Sequence, residues 1–374
     1  MRENRTSSAG LWPAVLVFLA AIFLLAVLAA GGNGSSGNAQ EAGRLDMMQK
    51  YNMYMTNSVS EALDGIVSIE KVYFLSDEDV VAPMPNADLF GETQDPSSLG
   101  WLLEDAQEIL DGQETFFRTD MELLPNSKVK YYLDDTIFSV TWKMGVGLAA
   151  FTCAEVKVAH PSQFRRFMTG GQYGAQIRYT TTEMAKNVNA VTASNGDYYS
   201  YRPYGIVVVN GKVFRTGDEE LDTCFVDDQG DLIFTPRGTF HSAEEVQQYV
   251  DEHHIRFSLS FGPVYIQDGQ IVTPERYRVG EIDQHVSRAV LCQLGPCHYL
   301  VIAANIEKNY YSPPDIHTFA RQLKELGIEN AYALDGGQTA TIVMGGERMN
   351  SVDYGGEREI SDIIYFATAL PNGG

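Results

Sequence analysis

The longest apolar run of the chain lies near its N-terminus. Residues 11–30 are apolar throughout, with Pro13 near their start. Twenty such residues match the hydrocarbon thickness of a bilayer. Two arginines precede the run and no basic residue follows it until Arg44, which predicts a cytoplasmic tail over residues 1–10, a transmembrane signal anchor and an extracytoplasmic body. A cleaved signal peptide is the alternative, since small residues end the run, but its length favours an uncleaved anchor.

A polar segment and a region of helical pattern follow the apolar run. Residues 31–40 are rich in Gly, Ser and Asn and predict a flexible linker. Residues 41–130 form an N-terminal helical or irregular region, with helical spacing of apolar residues at 44–59 and 97–110. Nothing in this region points to chemistry, so we assign it no function.

Residues 131–370 change to short β-rich runs separated by turn dipeptides. Asn210-Gly211 and Asp268-Gly269 each follow an apolar run and predict hairpin turns. The predicted strands are 136–142, 155–158, 188–193, 204–209, 258–266, 285–291, 298–304, 330–334, 339–344 and 360–367.

Three predicted helices interrupt these strands. A capping box of Ser or Thr with Glu opens the first two, at residues 180–183 and 242–245. Ser312-Pro313 is predicted to open the third, whose apolar stripe ends at Gly327. Strands with a few inserted helices predict an α+β domain around a mixed β-sheet, preceded by one N-terminal transmembrane helix.

The net charge of the chain limits the kinds of molecule that it can bind. The chain has 27 basic and 49 acidic residues, a formal net charge of −22. A body with this charge repels nucleic acid and anionic lipid, so no nucleic-acid partner is expected. It would also repel a phosphate-bearing ligand, unless local arginines reverse the field.

The cysteines indicate neither a disulfide scaffold nor a metal site. Four cysteines are too few for such a scaffold. Cys292 and Cys297 flank a turn and could pair across a hairpin, although two partly buried thiols are the simpler interpretation. No Cys or His spacing matches a zinc site, and the sequence predicts neither metal nor cofactor.

One motif places a carboxylate at the end of a predicted strand. Asp335 follows residues 330–334 and precedes Gly336 and Gly337. Two glycines let the backbone turn tightly and bring N–H groups near a ligand. An ordinary Asp-Gly turn is the alternative, and the pattern alone favours it.

Two further motifs carry polar residues beside apolar runs. Asn195-Gly196 predicts a turn, Asp197 supplies a second carboxylate, and Tyr198 with its neighbouring tyrosine could stack on a sugar ring. A simple turn is the alternative here as well. Arg288 enters an apolar strand, where its burial requires an anionic partner. A phosphate ligand and a structural ion pair both satisfy that requirement.

In this order the motifs resemble the phosphodiester glycosidase family, including its uncovering-enzyme-like and bacterial exopolysaccharide-type members. The resemblance runs from Val129 to Ala369. The segments that carry it are 190–199, 204–211, 261–263, 287–289, 293–299, 334–337 and 360–364.

The resemblance implies hydrolysis of a glycosyl phosphodiester, between the anomeric carbon and a phosphate oxygen, in a phosphate-linked glycan. An oxocarbenium-like transition state needs a carboxylate, and a phosphate leaving group needs charge neutralisation. Asp335 is therefore assigned as nucleophile or general base, Asp197 as acid/base or sugar ligand, and Arg288 as phosphate clamp. Substrate contacts are predicted at Asn195, Gly196, Tyr198, Arg202, Gly336, Gly337 and Thr339.

The chain departs from the family pattern at two places. Gln338-Thr339 stands where Gly and Ser are usual, and residues 305–307 replace a common Asp-Gly-Arg. The second change reverses the charge of a basic residue. The competing hypothesis is a non-catalytic glycan-binding or polysaccharide-assembly protein on the same fold.

Overall fold

The structure, a computed structural model, describes residues 74–76, 80–277, 285–307 and 312–370. These residues fall within one unit, Val72–Gly374. The predicted tail, anchor and linker, and the helix predicted at 44–59, lie outside the described residues. Within the described ranges, no helix is long and apolar enough to cross a bilayer.

Short strands dominate the described part of the chain. In chain order they are β1 (Phe90–Thr93), β2 (Val129–Asp134), β3 (Ile137–Val146), β4 (Ala149–Val158), β5 (Phe164–Met168), β6 (Thr192–Asn195), β7 (Val207–Val209), β8 (Lys212–Arg215), β9 (Thr223–Val226), β10 (Leu232–Thr235), β11 (Phe257–Leu259), β12 (Val264–Gln267), β13 (Gln270–Ile271), β14 (Arg288–Gly295), β15 (His298–Asn305), β16 (Asn330–Leu334), β17 (Ile342–Met344), β18 (Glu347–Arg348) and β19 (Asp362–Phe366). Few helices accompany them, which confirms the α+β class.

The described α-helices are α1 (Gly100–Asp105), α2 (Gln107–Leu110), α3 (Thr181–Asn187), α4 (Ala243–Glu252) and α5 (Ile316–Glu325). The two predicted capping positions, Thr180 and Ser242, are confirmed as the N-caps of α3 and α4. The start predicted for the third helix is wrong. Its N-cap is Asp315, whose side chain accepts from the Thr318 N–H, whereas the Ser312 N–H donates to the Leu148 carbonyl.

Among the described residues, the strands form three sheets. The largest has the order β1-β2-β3-β4-β15-β14-β16-β12-β13, and the others are β10-β9-β11-β7-β8 and β18-β17-β6-β19-β5. The prediction of a mixed sheet is wrong, because every pairing between these strands is antiparallel. Helix α5 joins β15 to β16, but β14 lies between them, so the crossover creates no parallel pair.

The large sheet is covered on both faces, and β14 shows how the core divides. Val290 and Cys292 face a cluster that includes residues of α1, α2 and α5. Ala289 and Leu291 point to the opposite face and pack in a cluster with residues from β9, β17 and β19. Helices α1 and α2 belong to the region predicted at 41–130, and they contribute directly to this core. All four cysteines are buried free thiols, including Cys292.

Candidate active site

Two of the predicted motifs meet at the end of β16. Asp335 follows this strand of the large sheet, and its side chain is buried. Its backbone N–H donates to the Gly196 carbonyl over 3.3 Å, and its carbonyl accepts from Asn195 Nδ2 at 2.7 Å. Asn195 ends β6 in another sheet, so these bonds join two sheets at the carboxylate.

The Asp335 carboxylate is held by the turn that follows it and by Arg358. Oδ1 accepts from the Gly336 N–H at 2.9 Å, and Oδ2 lies 2.7 Å from Arg358 Nη2. Burial raises the pKa of Asp335 to about 6, although Arg358, Thr339 and Arg202 each favour the ionised form. The carboxyl group therefore titrates just below neutral pH, which is a common property of catalytic carboxylates.

The Asp-Gly-Gly turn lies directly against the chain before β14. A Cβ on Gly336 would come within 2.6 Å of the Ser287 carbonyl oxygen, so only glycine fits there. The Gly337 N–H donates to the same oxygen at 2.7 Å, and the Thr339 hydroxyl donates to the Gly336 carbonyl at 2.7 Å. Because the N–H groups of both glycines have protein acceptors, they are not left for a substrate.

The main chain of Arg288 is next to this turn. Its side chain is buried at the start of β14, on the same face of the sheet as Val290. Arg288 Nε lies 3.5 Å from the Pro314 carbonyl oxygen, at the long limit for a hydrogen bond. The structure thus places this predicted phosphate clamp between the Asp-Gly-Gly turn and the start of α5.

A second guanidinium lies near Asp335 without an acceptor. Arg202 lies over the ring of Tyr198, 4.7 Å from its centroid, and over that of Phe261 at 4.8 Å. Its guanidinium has no hydrogen bond or ion pair with any residue that the structure describes. Burial lowers its pKa, while Asp197 and Asp335 oppose this shift by attraction. Arg202 can therefore receive an anion beside Asp335.

Aromatic rings surround this basic group. The rings of Tyr198 and Tyr201 stack, with centroids 4.4 Å apart and planes 15° from parallel. Arg358 lies 5.2 and 5.7 Å from their centroids, and Arg178 lies 4.5 Å from that of Tyr201. We call Arg178, Tyr198, Tyr201, Arg202 and Arg358 the arginine–tyrosine cluster.

Asp197 belongs to a buried ion cluster. Its Oδ1 accepts from the Tyr199 N–H at 2.6 Å, and its Oδ2 accepts from the Ser260 N–H at 2.9 Å. Arg166 Nη2 lies 3.0 Å from Asp197 Oδ2 and 2.8 Å from Asp362 Oδ2. Burial raises the pKa of Asp362, although Arg166 opposes the shift. Both oxygens of Asp197 are thus engaged, by Arg166 on β5, by the residue that follows β11 and by the loop that follows β6.

Sequence reasoning missed four charged residues of these groups, among them Arg178, which precedes α3. Arg166 lies inside β5, Asp362 opens β19, and Arg358 precedes β19. The signal that drew attention to Arg288, a charge beside an apolar run, also applies to Arg166 and Asp362. Arg358 has no such signal, because it lies in a polar loop.

The unusual residues 305–307 lie in another set of contacts. Asn305 donates to the Ala340 carbonyl and accepts from Asn350. Glu307 pairs with Lys143 at 2.8 Å, which compensates the reversed charge. Neither residue hydrogen-bonds to Asp335, Arg202 or Arg358 in the described structure.

One family model matches part of the chain. Residues 188–367 match the model of the phosphodiester glycosidase family. This range includes Asn195, Asp197, Arg202, Asp335 and Arg358. No curated protein matches the chain.

The chain is also similar to two solved structures over part of its length. The catalytic domain of zebrafish N-acetylglucosamine-1-phosphodiester alpha-N-acetylglucosaminidase, auto-inhibited by its pro-peptide, is 19% identical, with a TM-score of 0.49 over 78% of this chain and 99% of that one. A hypothetical protein from Synechocystis is 14% identical, with a TM-score of 0.45 over 66% of this chain and 64% of that one. The chain thus covers less than two thirds of the Synechocystis protein. At this similarity neither match carries an argument about activity.

Proposed function

We propose that this protein hydrolyses glycosyl phosphodiesters at a site around Asp335. The observation that carries the proposal is a buried carboxylate, with its pKa raised to about 6, next to Arg358 and near the unpaired guanidinium of Arg202. Such a site offers a base or nucleophile together with positive charge for a phosphate. The family match of residues 188–367 supports the same class of reaction.

The proposed reaction breaks the bond between the anomeric carbon and the phosphate oxygen. Asp335 either attacks this carbon or takes a proton from the water that attacks it. In both cases the water oxygen ends on the sugar, and the phosphate monoester leaves with the bonding electrons. Arg202 and Arg358 stabilise its negative charge, and the loss of one such contact typically slows a reaction about 100- to 1,000-fold.

The buried ion cluster has a supporting role in this proposal. Asp197 holds the Ser260 N–H and the Arg166 guanidinium, and the adjacent Gly196 carbonyl accepts from Asp335. Asp197 therefore positions the turn that contacts Asp335, in place of the acid/base role expected from the sequence. Arg288 remains a proposed phosphate ligand beside the Asp-Gly-Gly turn.

We propose further that the substrate is a phosphate-linked surface glycan and that the protein works outside the cell membrane. The arginine-lined site supports a phosphate-bearing substrate despite the net charge of −22. The location rests on the apolar run 11–30 and on the two arginines that precede it. A role of the bacterial exopolysaccharide type is consistent with both.

The test is hydrolysis of an N-acetylglucosamine-1-phosphodiester, and of purified phosphate-linked wall polymers, by the full chain. We expect Asp335→Asn to abolish turnover and Arg202→Gln to lower kcat/KM about 100-fold. Arg348→Gln is the control, since it removes an arginine that pairs with Glu357 at 3.8 Å, outside the proposed site. Binding of the polymers without hydrolysis would instead support the non-catalytic glycan-binding hypothesis.

A further inference from the structure

We infer that Tyr198 and Tyr201 are positioning residues, whose stacked rings hold Arg202 and Arg358 in place beside Asp335. The inference deepens the proposed function, and its catalytic consequence rests on that function. The arrangement itself belongs to the chain and can be tested whether or not the protein hydrolyses the substrate.

The ring pair contacts every arginine of the cluster. Arg202 lies over Tyr198, Arg178 lies over Tyr201, and Arg358 lies beside both rings. A guanidinium within about 6 Å of a ring centroid is attracted by the negative face of the ring. Two stacked tyrosines therefore fix three cations that would otherwise repel one another.

Each of these arginines has one buried guanidinium nitrogen without a hydrogen-bond acceptor. Arg178 Nε, Arg202 Nη1 and Arg358 Nε are all buried, and each lacks a nitrogen or oxygen acceptor. A buried donor without an acceptor is costly. Here the ring faces of Tyr198 and Tyr201 provide the negative partner that such a donor requires.

The Tyr201 hydroxyl extends this support to the main chain. It donates to the Glu359 carbonyl at 3.0 Å, next to Arg358. The Arg358 side chain is more than one third exposed, so the ion pair with Asp335 alone would leave it several orientations in water. The tyrosine thus fixes Arg358 both through its ring and through the adjoining backbone.

This arrangement changes the role expected for the aromatic residues. The sequence suggested that Tyr198 stacks on a sugar ring, but one ring face is covered by Tyr201 and Arg202 lies against the ring as well. The pair therefore acts on the substrate through the two arginines. Among the described residues, Arg358 and Arg202 act electrostatically on Asp335, and Arg166, Asp197 and Asp362 form a charged cluster next to Gly196.

A titration followed by ¹³C NMR measures the charge state of Asp335 directly. The full chain is labelled with ¹³C at the aspartate carboxyl carbons, and the Asp335 signal is identified by its absence in Asp335→Asn. In Tyr201→Leu we expect the titration midpoint to rise by about half a pH unit, because a displaced Arg358 favours the carboxylate less. Tyr201→Phe keeps the ring and loses only the hydrogen bond to the Glu359 carbonyl, so its midpoint should rise by less than that of Tyr201→Leu, by about 0.2 unit.

Kinetics supply the second readout. Tyr201→Leu should lower kcat/KM about tenfold and move the acid limb of its pH profile upward with the Asp335 midpoint. Phe214→Leu is the matched control, since it removes a similar pair, with Lys212 at 5.0 Å, and should change neither quantity. An unchanged Asp335 midpoint in Tyr201→Leu overturns the positioning role. An inactive wild type overturns the proposed function and leaves the titration result standing.

Discussion

At the scale of single residues, Asp335 shows how a reactive group costs stability. Its pKa in the folded chain, about 6, exceeds the ordinary value because the ionised form is buried. The folded state therefore holds this proton more tightly than the unfolded state does. The protonated carboxyl contributes its full stabilisation of the folded state below about pH 4. This stabilisation is lost as the pH rises through the folded pKa.

We predict that Asp335→Asn stabilises the protein at pH 8. The amide removes a buried charge and can still accept from the Gly336 N–H. The free energy of unfolding should rise by on the order of 1–3 kcal/mol at pH 8 and change little at pH 4, where the carboxyl is neutral. Thermal melts at both pH values measure this. The exposed Asp88→Asn is the control, and equal destabilisation by Asp335→Asn at both pH values would contradict the prediction.

The residues of the site differ in how far sequence could reveal them. Asp335 was predictable because a carboxylate followed a clear strand and preceded two glycines. Arg358 was not, because it reaches Asp335 from a polar loop 23 residues away. The role of Tyr198 was also hidden, since a sequence does not show which groups cover the faces of a ring.

At the scale of elements, local sequence patterns predicted strand bounds correctly where no adjacent helix occupied the same residues. β16 begins and ends as predicted, and β15 differs from its prediction by one residue. The strand predicted at 188–193 begins only at Thr192, because α3 continues to Asn187 and Asn189 then adopts a left-handed conformation. The end of the helix and the turn after it thus include residues whose composition favours a strand.

Close contact between β6 and β19 makes Gly196 a sensitive position. An added Cβ would come within 2.2 Å of Asp362 Oδ2 and 3.1 Å of its carbonyl oxygen. We predict that Gly196→Ala destabilises the protein by about 1–3 kcal/mol through overpacking and also lowers activity, since it displaces the turn that contacts Asp335.

Gly100→Ala provides the comparison for this prediction. It adds the same methyl group in open space at the start of α1, where alanine favours the helix. Denaturant melts and kcat/KM of both variants are the measurements. If the two variants are equally stable, the contact between Gly196 and Asp362 does not restrict that site.

At the scale of the whole molecule, the domain extends beyond the range of the family match. Residues 188–367 omit β4, which pairs with β15, and β5, which pairs with β19. We predict that a fragment of these residues does not fold cooperatively, because it exposes the edges of two buried strands. Circular dichroism should show a sharp thermal transition for the full chain and none for the fragment. A cooperative transition in the fragment would contradict the prediction.

The fold class could be predicted from the sequence, but the division of the strands into sheets could not. Strand and helix patterns were sufficient for an α+β domain. The order of strands in the large sheet depends on pairings such as that of Ala154 with Val301, which no local pattern indicates. The antiparallel pairing of β14 with β16 was hidden for the same reason.

The pairing of β4 with β15 also has a consequence for how the chain acquires its structure. These central strands are neighbours in space, yet residues 159–297 separate them and include the whole of another sheet. Contacts between such distant residues are slow to form, because the intervening chain must first give up its freedom. We therefore expect refolding slower than that of small helical proteins, with exposed strand edges until β15 docks. This delay is a hazard of aggregation during biosynthesis.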